Sequence, residues 1–167
     1  MSFQKQSYAK QALGNPGEIA KAFHNNCYTM EGYTADANVC VGCFIQSKTG
    51  ATNEREVIGA SGQAITGQIL GVVIKTKFVS SCGTDPVRIY PKAMDVEYLN
   101  VGAVFIENNG QVAKKGQYVM LKNDDGALVF SDTSTKANHT YTGFRVEIGH
   151  PTADDGVILI STAMGYI

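Results

Sequence analysis

From Val39 onward the chain alternates apolar and polar residues with a period of two, in short stretches bounded by glycine, asparagine and aspartate. This period, together with many β-branched and aromatic residues, predicts strands. No convincing helix lies between them, so we expect antiparallel pairing in a sandwich, a jelly roll or a small barrel. The predicted strands are residues 39–46, 69–79, 94–99, 103–107, 117–122, 127–131, 141–148 and 157–162.

Turn signals at the ends of two predicted strands support this antiparallel pairing. Asn109-Gly110 follows the strand at 103–107, and Asp124-Asp125-Gly126 precedes the strand at 127–131. Glycine readily adopts the positive φ that tight hairpin turns require.

The first 38 residues are polar and irregular, unlike the rest of the chain. They predict an extended N-terminal arm over residues 1–38, followed by a β-rich domain over residues 39–167. A short helix after Asn15-Pro16 is an alternative within the arm, because asparagine caps helices, proline suits the first helical position and Glu18 would complete a capping box.

Isolated aromatic residues in the arm are predicted to bind a partner, because they bury a large area at a small conformational cost. The alternative is that they pack on their own domain. These residues are Phe3, Tyr8, Phe23, Tyr28 and Tyr33.

Residues 47–68 form the longest stretch of the domain without a clear strand, and they include four glycines. A long loop in a compact domain commonly has a function, so this stretch is predicted to be a second contact surface. The alternative is a loop that holds one weak strand around residues 56–60.

Charge and hydropathy exclude two classes of partner. The chain carries 14 Lys and Arg against 15 Asp and Glu, a net charge of −1, so it lacks the positive field that nonspecific nucleic-acid binding needs. The N-terminus has no apolar segment and the longest aliphatic run, residues 69–74, is short, so we predict neither a secretion signal nor a membrane span. Four cysteines then indicate free thiols in a reducing cytoplasm.

The sharpest metal-site hypothesis is a zinc centre formed by His24, Cys27, Cys40 and Cys43, whose spacing is plausible. However, Cys40 and Cys43 lie in a run that resembles a strand, where residues three apart point to opposite faces. Gly42 permits a tight turn there, but its apolar neighbours do not favour one. We therefore predict neither a metal nor a cofactor, with the cysteines acting as small apolar residues.

No catalytic constellation is evident in the sequence. The stretch around Ser61 lacks the spacing of a nucleophile elbow, and His24, His139 and His150 are not near an obvious nucleophile. The paired aspartates at 124–125 and 154–155 precede glycines, which favours turns over acid–base chemistry. The sequence therefore predicts that the protein is not an enzyme.

Four stretches, in order along the chain, carry a resemblance to a known family: NPGEIA at 15–20, ADANVCVGCF at 35–44, VGAVFI at 101–106 and AKKGQYV at 113–119. The sequence resembles the structural cement proteins of tailed bacteriophages. The likeness covers most of the chain and ends near residues 142–146 and 156–160. It implies a jelly-roll-like or tulip-like β-module that binds the outside of an assembled head as a dimer or trimer.

The resemblance implies a virion protein, made in the bacterial cytoplasm, that cements adjacent subunits of the major capsid protein on the capsid surface. We expect the arm and the loop at 47–68 to clamp these subunits. Two alternatives remain open. One is another virion component, such as a head-fibre base, a tail protein or a glycan-binding module that uses Tyr90, Tyr98 and Tyr141. The other is a metalloprotein or enzyme built on the cysteines.

Overall fold

The computed structural model describes residues 14–20, 27–34, 36–75 and 89–162. Within these ranges the chain forms strands joined by turns and loops, without a helix. Among these described residues there is therefore no helix that is long and apolar enough to cross a membrane. The strands are β1 (Tyr28–Thr34), β2 (Val39–Cys40), β3 (Phe44–Ser47), β4 (Val57–Gly59), β5 (Ile69–Val73), β6 (Ile89–Tyr90), β7 (Met94–Val101), β8 (Ala103–Glu107), β9 (Tyr118–Lys122), β10 (Leu128–Ser131), β11 (His139–Ile148) and β12 (Val157–Thr162).

The strands form two five-stranded sheets and one small sheet. The first sheet has the order β1-β7-β5-β3-β4, the second has the order β10-β9-β11-β12-β8, and β2 pairs with β6. Neighbouring strands pair antiparallel throughout these sheets. The predicted all-β antiparallel fold is thus confirmed, and the two sheets are consistent with a sandwich.

Most predicted strands are present with small shifts at their ends. Those at 103–107 and 157–162 coincide with β8 and β12, and the one at 69–79 corresponds to β5 as far as residue 73. Residues 76–79 of that prediction lie outside the described ranges. The prediction of one continuous strand over 39–46 is wrong, because a turn separates β2 from β3.

The main hydrophobic core lies between the two large sheets. Phe44 and Leu99 of the first sheet pack with Phe144 and Ile158 of the second. The rings of Phe44 and Phe144 meet edge to face, with centroids 5.7 Å apart. The chain passes from the first sheet to the second through the single residue Gly102, between β7 and β8.

The first sheet curls so that its two edge strands approach each other. The backbone amide of Tyr33 in β1 donates to the carbonyl of Arg55 at 2.7 Å, and Tyr33 forms a parallel bridge with Glu56, just before β4. Inside the curl lies a second core that includes Val57 and Tyr98. A Cβ on Gly32 would lie 2.8 Å from a Val57 methyl group, so β1 can pass here only with glycine.

The strand β1 lies within the predicted arm, where no strand was expected. The sequence-based strands began at Val39, yet residues 28–34 pair with β7 along their whole length. The boundary between an arm at 1–38 and a domain at 39–167 stays a prediction, but part of that arm belongs to a sheet.

Residues 14–20 contain a turn at the position where the alternative prediction placed the start of a short helix. The amide of Glu18 donates to the carbonyl of Asn15 at 3.0 Å, and Gly17 has a φ of 80°, as expected for a type II turn with proline second and glycine third. The Glu18 carboxylate accepts from the Asn15 amide at 3.0 Å and from its side-chain Nδ2 at 2.8 Å. The contact between Asn15 and Glu18, which the sequence predicts as a helix capping box, therefore stabilises a turn instead of a helix.

This segment is hydrogen-bonded to both large sheets. The amide of Gly17 donates to the carbonyl of Phe105 in β8 at 2.8 Å, and the carbonyl of Gly17 accepts from the amide of Lys75, just after β5, at 2.9 Å. The amide of Ala20 donates to the carbonyl of Ala103 at 2.9 Å. Ala20 also covers a small apolar cluster with Ala103 and Leu159 on the outer face of the second sheet.

The turn between β2 and β3 supports the Asn15–Glu18 turn. The amide of Cys43 donates to the carbonyl of Cys40 at 3.3 Å, and Gly42 has a φ of 83°. A Cβ on Gly42 would lie 2.7 Å from the Cβ of Pro16, so the two turns are in direct contact. We call this the Cys40–Cys43 turn, and it corrects the expectation that the apolar neighbours of Gly42 disfavour a tight turn here.

We expect Gly42→Ala to destabilise the protein by about 2–5 kcal/mol, because a left-handed alanine costs about 1–2 kcal/mol and overpacking adds about 1–3 kcal/mol. Gly50→Ala is the matched control, since Gly50 has a φ of 73° but nothing within 4 Å of the added Cβ. Gly50→Ala should cost only about 1–2 kcal/mol, the contribution of the left-handed conformation. Urea unfolding of both variants measures the difference, and equal losses would contradict the contact with Pro16.

Candidate functional site

The two regions that the sequence predicts to contact a partner lie side by side. Arg55 and Glu56, at the end of loop residues 48–56, lie next to β1, and Val57–Gly59 form the short strand β4. The alternative of a weak strand around residues 56–60 is therefore confirmed, and the loop is divided by it. We call the surface formed by β1 and residues 48–56 the β1–loop face.

Arg55 joins the two parts of the β1–loop face. Its guanidinium Nη2 lies 3.4 Å from a carboxylate oxygen of Glu31 in β1 and 3.2 Å from a carboxylate oxygen of Asp95 in β7. Its carbonyl accepts the hydrogen bond from Tyr33. All three charged side chains are more than half exposed, so these ion pairs orient the loop more than they stabilise the fold.

Exposed apolar side chains lie at the start of β1. Tyr28 is 63% exposed and Met30 is 52% exposed. Residues two apart on a strand point to the same face, so the two side chains form one apolar patch. Tyr33 is half-buried and lies opposite Asp95. Tyr28 is thus available to a partner, whereas Tyr33 is largely used within the fold.

The other three aromatic residues predicted to bind a partner, Phe3, Tyr8 and Phe23, lie outside the described residues. Their role in binding stays a prediction.

A salt-bridge cluster around Lys48 holds the start of the loop at residues 48–56. The Lys48 ammonium lies 2.6 Å from Asp36 and 3.1 Å from the buried Glu56, and the Thr52 hydroxyl donates to Glu56 at 2.7 Å. The hydrogen bonds from Thr52 and Lys48 lower the pKa of Glu56, and the bonds to Asp36 and Glu56 raise the pKa of Lys48. The cluster therefore favours the charged forms of Lys48 and Glu56, and their ion pair fixes the loop.

A groove of about 780 Å³ opens beside the Cys40–Cys43 turn. Both cysteines line it, together with apolar residues of the two large sheets and the carboxylates of Glu107 and Asp125. The groove is a concave surface whose polar side chains include the acceptors Glu107 and Asp125 and, in Ser61, Asn109 and Gln111, groups that both donate and accept.

The four residues of the zinc hypothesis are not brought together as far as the structure describes them. Cys40 and Cys43 share the turn, Cys27 packs against the main core close to Gly102, and His24 lies outside the described residues. In the described ranges, no group of three or more histidine, cysteine, aspartate or glutamate side chains could hold a metal ion.

The three tyrosines of the glycan alternative do not form a platform. Tyr90 and Tyr98 are buried, and the Tyr90 hydroxyl donates to the Ile74 carbonyl at 3.1 Å. Tyr141 lies on the second sheet.

Sequence reasoning missed a cluster of Tyr118, Tyr141 and Arg145 on the second sheet. The two tyrosine rings meet edge to face at 5.3 Å, and the guanidinium carbon of Arg145 lies 4.2 Å from the Tyr118 ring centroid. The three residues come from two separate strands. Only the pairing of β9 with β11, which the sequence pattern does not specify, brings them together.

Comparison with known proteins points to one family. A family model described as structural cement protein (E217 gp24/Pam3 gp6) matches residues 3–163. A chain of a solved structure of the capsid of Myoviridae phage XM1 superposes with a TM-score of 0.62 at 16% sequence identity, covering 99% of this chain and 100% of that one. No curated protein shows significant similarity.

We expect Glu56→Gln to make the stability of the protein less dependent on acid. The folded-state pKa of Glu56 is below its ordinary value of 4.5, so its stabilising contribution is complete above that pH. That contribution is lost as the pH falls through the folded-state pKa. The variant should be less stable at neutral pH, and the difference should shrink at lower pH.

Urea unfolding at several pH values from about 7 to about 3 measures this difference. Glu54→Gln, which removes an exposed carboxylate two residues away, is the matched control and should change the stability little at any pH. A gap between wild type and Glu56→Gln that is the same at every pH would refute the role of the charged form.

Proposed function

This chain belongs to the structural cement protein family of bacteriophages, and we propose that it binds the outer surface of the capsid shell and cements adjacent major capsid protein subunits. The family match over residues 3–163 is the observation that carries the proposal. The match makes the protein a structural component of the virion, associated with the capsid. A structural role of this kind requires no catalytic site.

The β1–loop face is the surface that we assign to the shell contact. It offers the exposed apolar side chains of Tyr28 and Met30 on one side of the edge strand β1 and the exposed charges of Glu31 and Arg55 on the other. Specific interfaces usually combine apolar contacts near their centre with polar groups near their rim. Because Arg55 ties residues 48–56 to β1, the face is ordered before binding and little entropy is lost there on contact.

Residues 1–13 extend the contact beyond this face in our proposal. A standard specific interface buries about 1,600 Å² in total, and the aromatic residues Phe3 and Tyr8 would add area that a small domain cannot offer alone. A protein that is repeated over a shell, as a dimer or trimer, also gains avidity from each neighbour that it bridges. Individual contacts can then be modest while the assembled shell is reinforced.

The test of the proposal mixes the purified protein with undecorated, expanded heads of its own virus. Sedimentation measures binding, and cryo-electron microscopy shows whether ordered density lies on the outer surface. Ordered occupancy at symmetry-related positions supports the cement role. Failure to bind at about micromolar concentration would contradict it and favour a tail, head-fibre or glycan-binding role, which a glycan array then tests.

We expect the double variant Tyr28→Ser, Met30→Ser to bind heads at least about 30-fold more weakly, because an aromatic anchor at an interface is worth about 2 kcal/mol or more. Both side chains are more than half exposed, so the free energy of unfolding should change little. Val112→Ser removes a comparably exposed apolar residue, 40% exposed, outside the β1–loop face. That control should bind like the wild type, and equal losses in both variants would exclude the proposed surface.

We expect removal of residues 1–13 to preserve the fold and to reduce the occupancy of the shell. The hydrogen bonds that join the N-terminal segment to the sheets involve residues 15–20, and β1 follows. A deletion of the whole arm to residue 38 would remove β1 and make any loss of binding ambiguous. Circular dichroism checks the fold, and unchanged occupancy would rule out residues 1–13 as part of the clamp.

A further inference from the structure

We propose that Cys40 and Cys43 form a reversible dithiol–disulfide couple, and that oxidation locks the turn on which the N-terminal segment rests. This inference is independent of shell binding, because it concerns the chemistry and local stability of the free protein. Both cysteines are unpaired thiols in the structure.

The geometry of the Cys40–Cys43 turn suits a disulfide. The hydrogen bond from the Cys43 amide to the Cys40 carbonyl closes a four-residue turn, whose first and last Cα atoms lie less than about 7 Å apart. Disulfides span Cα distances of about 4.4–6.8 Å. The two thiols are also near enough for Cys40 to raise the pKa of Cys43. A small adjustment of the side chains therefore brings the sulfur atoms to bonding distance.

The two thiols differ in their access to reagents. Cys40 is exposed, whereas Cys43 is partly buried, and both line the groove beside the turn. Burial, together with the neighbouring Cys40 and Glu107, raises the pKa of the Cys43 thiol to about 12. Since the thiolate is the reactive form, Cys40 is the residue that reacts first with an oxidant from solution.

The oxidant is a small disulfide, such as oxidised glutathione. The Cys40 thiolate, after losing its proton to water, attacks one sulfur and forms a mixed disulfide, which releases one glutathione thiolate. The Cys43 sulfur then loses its proton and attacks the sulfur of Cys40, which releases the second glutathione thiolate. The protein gives up two protons and two electrons, and the small disulfide becomes two thiols. The second step is intramolecular, so proximity compensates for the scarce thiolate of Cys43.

Oxidation acts on the N-terminal segment through direct contact. Gly42 lies against Pro16, and a Cβ on Gly17 would lie only 2.2 Å from a methyl carbon of Val41, so there is little space between the two turns. Holding Cys40 and Cys43 together limits the opening of this support. Closing a loop of four residues removes little chain entropy, so the effect should be local rather than a large gain in global stability.

The experiment treats the reduced full-length protein with oxidised glutathione and follows it by mass spectrometry. We expect the loss of two hydrogen atoms, with the bond mapped between Cys40 and Cys43 and reversed by dithiothreitol. Cys43→Ser should instead stop at a glutathione adduct on Cys40. Cys27→Ser is the matched control, since it removes a cysteine outside the turn and should leave the reaction unchanged.

Amide hydrogen exchange of the wild-type protein tests the locking. The amides of Gly17, Lys75 and Gly42 should exchange several-fold more slowly after oxidation, while amides of β9 and β12 should not change. Separate glutathione adducts on both cysteines, or a disulfide between two protein chains, would overturn the couple. A mapped Cys40–Cys43 bond with unchanged exchange at all three amides would overturn the locking.

Discussion

The two hydrogen bonds of the Gly17 backbone connect the halves of this molecule. Its amide is bonded to the second sheet and its carbonyl is bonded to the chain just after β5 of the first sheet. Such a position requires a turn with positive φ, which the Asn15-Pro16-Gly17-Glu18 sequence provides. The residue that packs against Pro16 must also lack a side chain, and Gly42 meets this requirement. The main core and the outer cluster around Ala20 pack on either side of this arrangement.

The features that the sequence did not predict are those created by packing between distant segments. The strand β1 was missed because Gly32 interrupts its pattern, yet glycine is needed there since Val57 occupies the space of a side chain. The turn after Cys40 was hidden by apolar neighbours, which are apolar because Val39 and Val41 are buried in the second core. By contrast, β8 and β12 are flanked by glycine and aspartate turns, and local composition was enough to define them.

For the candidate contact surface, too, local composition identified the parts, whereas contacts between distant segments bring them together. Sequence composition identified Tyr28 and Tyr33 of the predicted arm and the loop at 47–68 separately, the first through aromatic residues and the second through glycines. Their adjacency follows from the curl of the first sheet and from Arg55, whose partners lie 24 and 40 residues away in the chain. Neither the curl nor the ion pairs of Arg55 produce a periodic pattern in the sequence. The family match adds what neither source supplies, namely that the protein is a capsid-associated component of the virion.

The pairing of residues 17–20 with β8 has a consequence for synthesis on the ribosome. The first sheet is complete when residue 101 has been made, but the partner carbonyl of Gly17 belongs to Phe105. At about 5–20 residues per second, the segment must wait roughly 4–17 s after its own synthesis before that carbonyl exists. During this interval residues 14–20 are held only by their own turn and by their contacts with the Cys40–Cys43 turn and Lys75. The N-terminal segment is thus synthesised long before β8 but completes its hydrogen bonds only after Phe105 has been made.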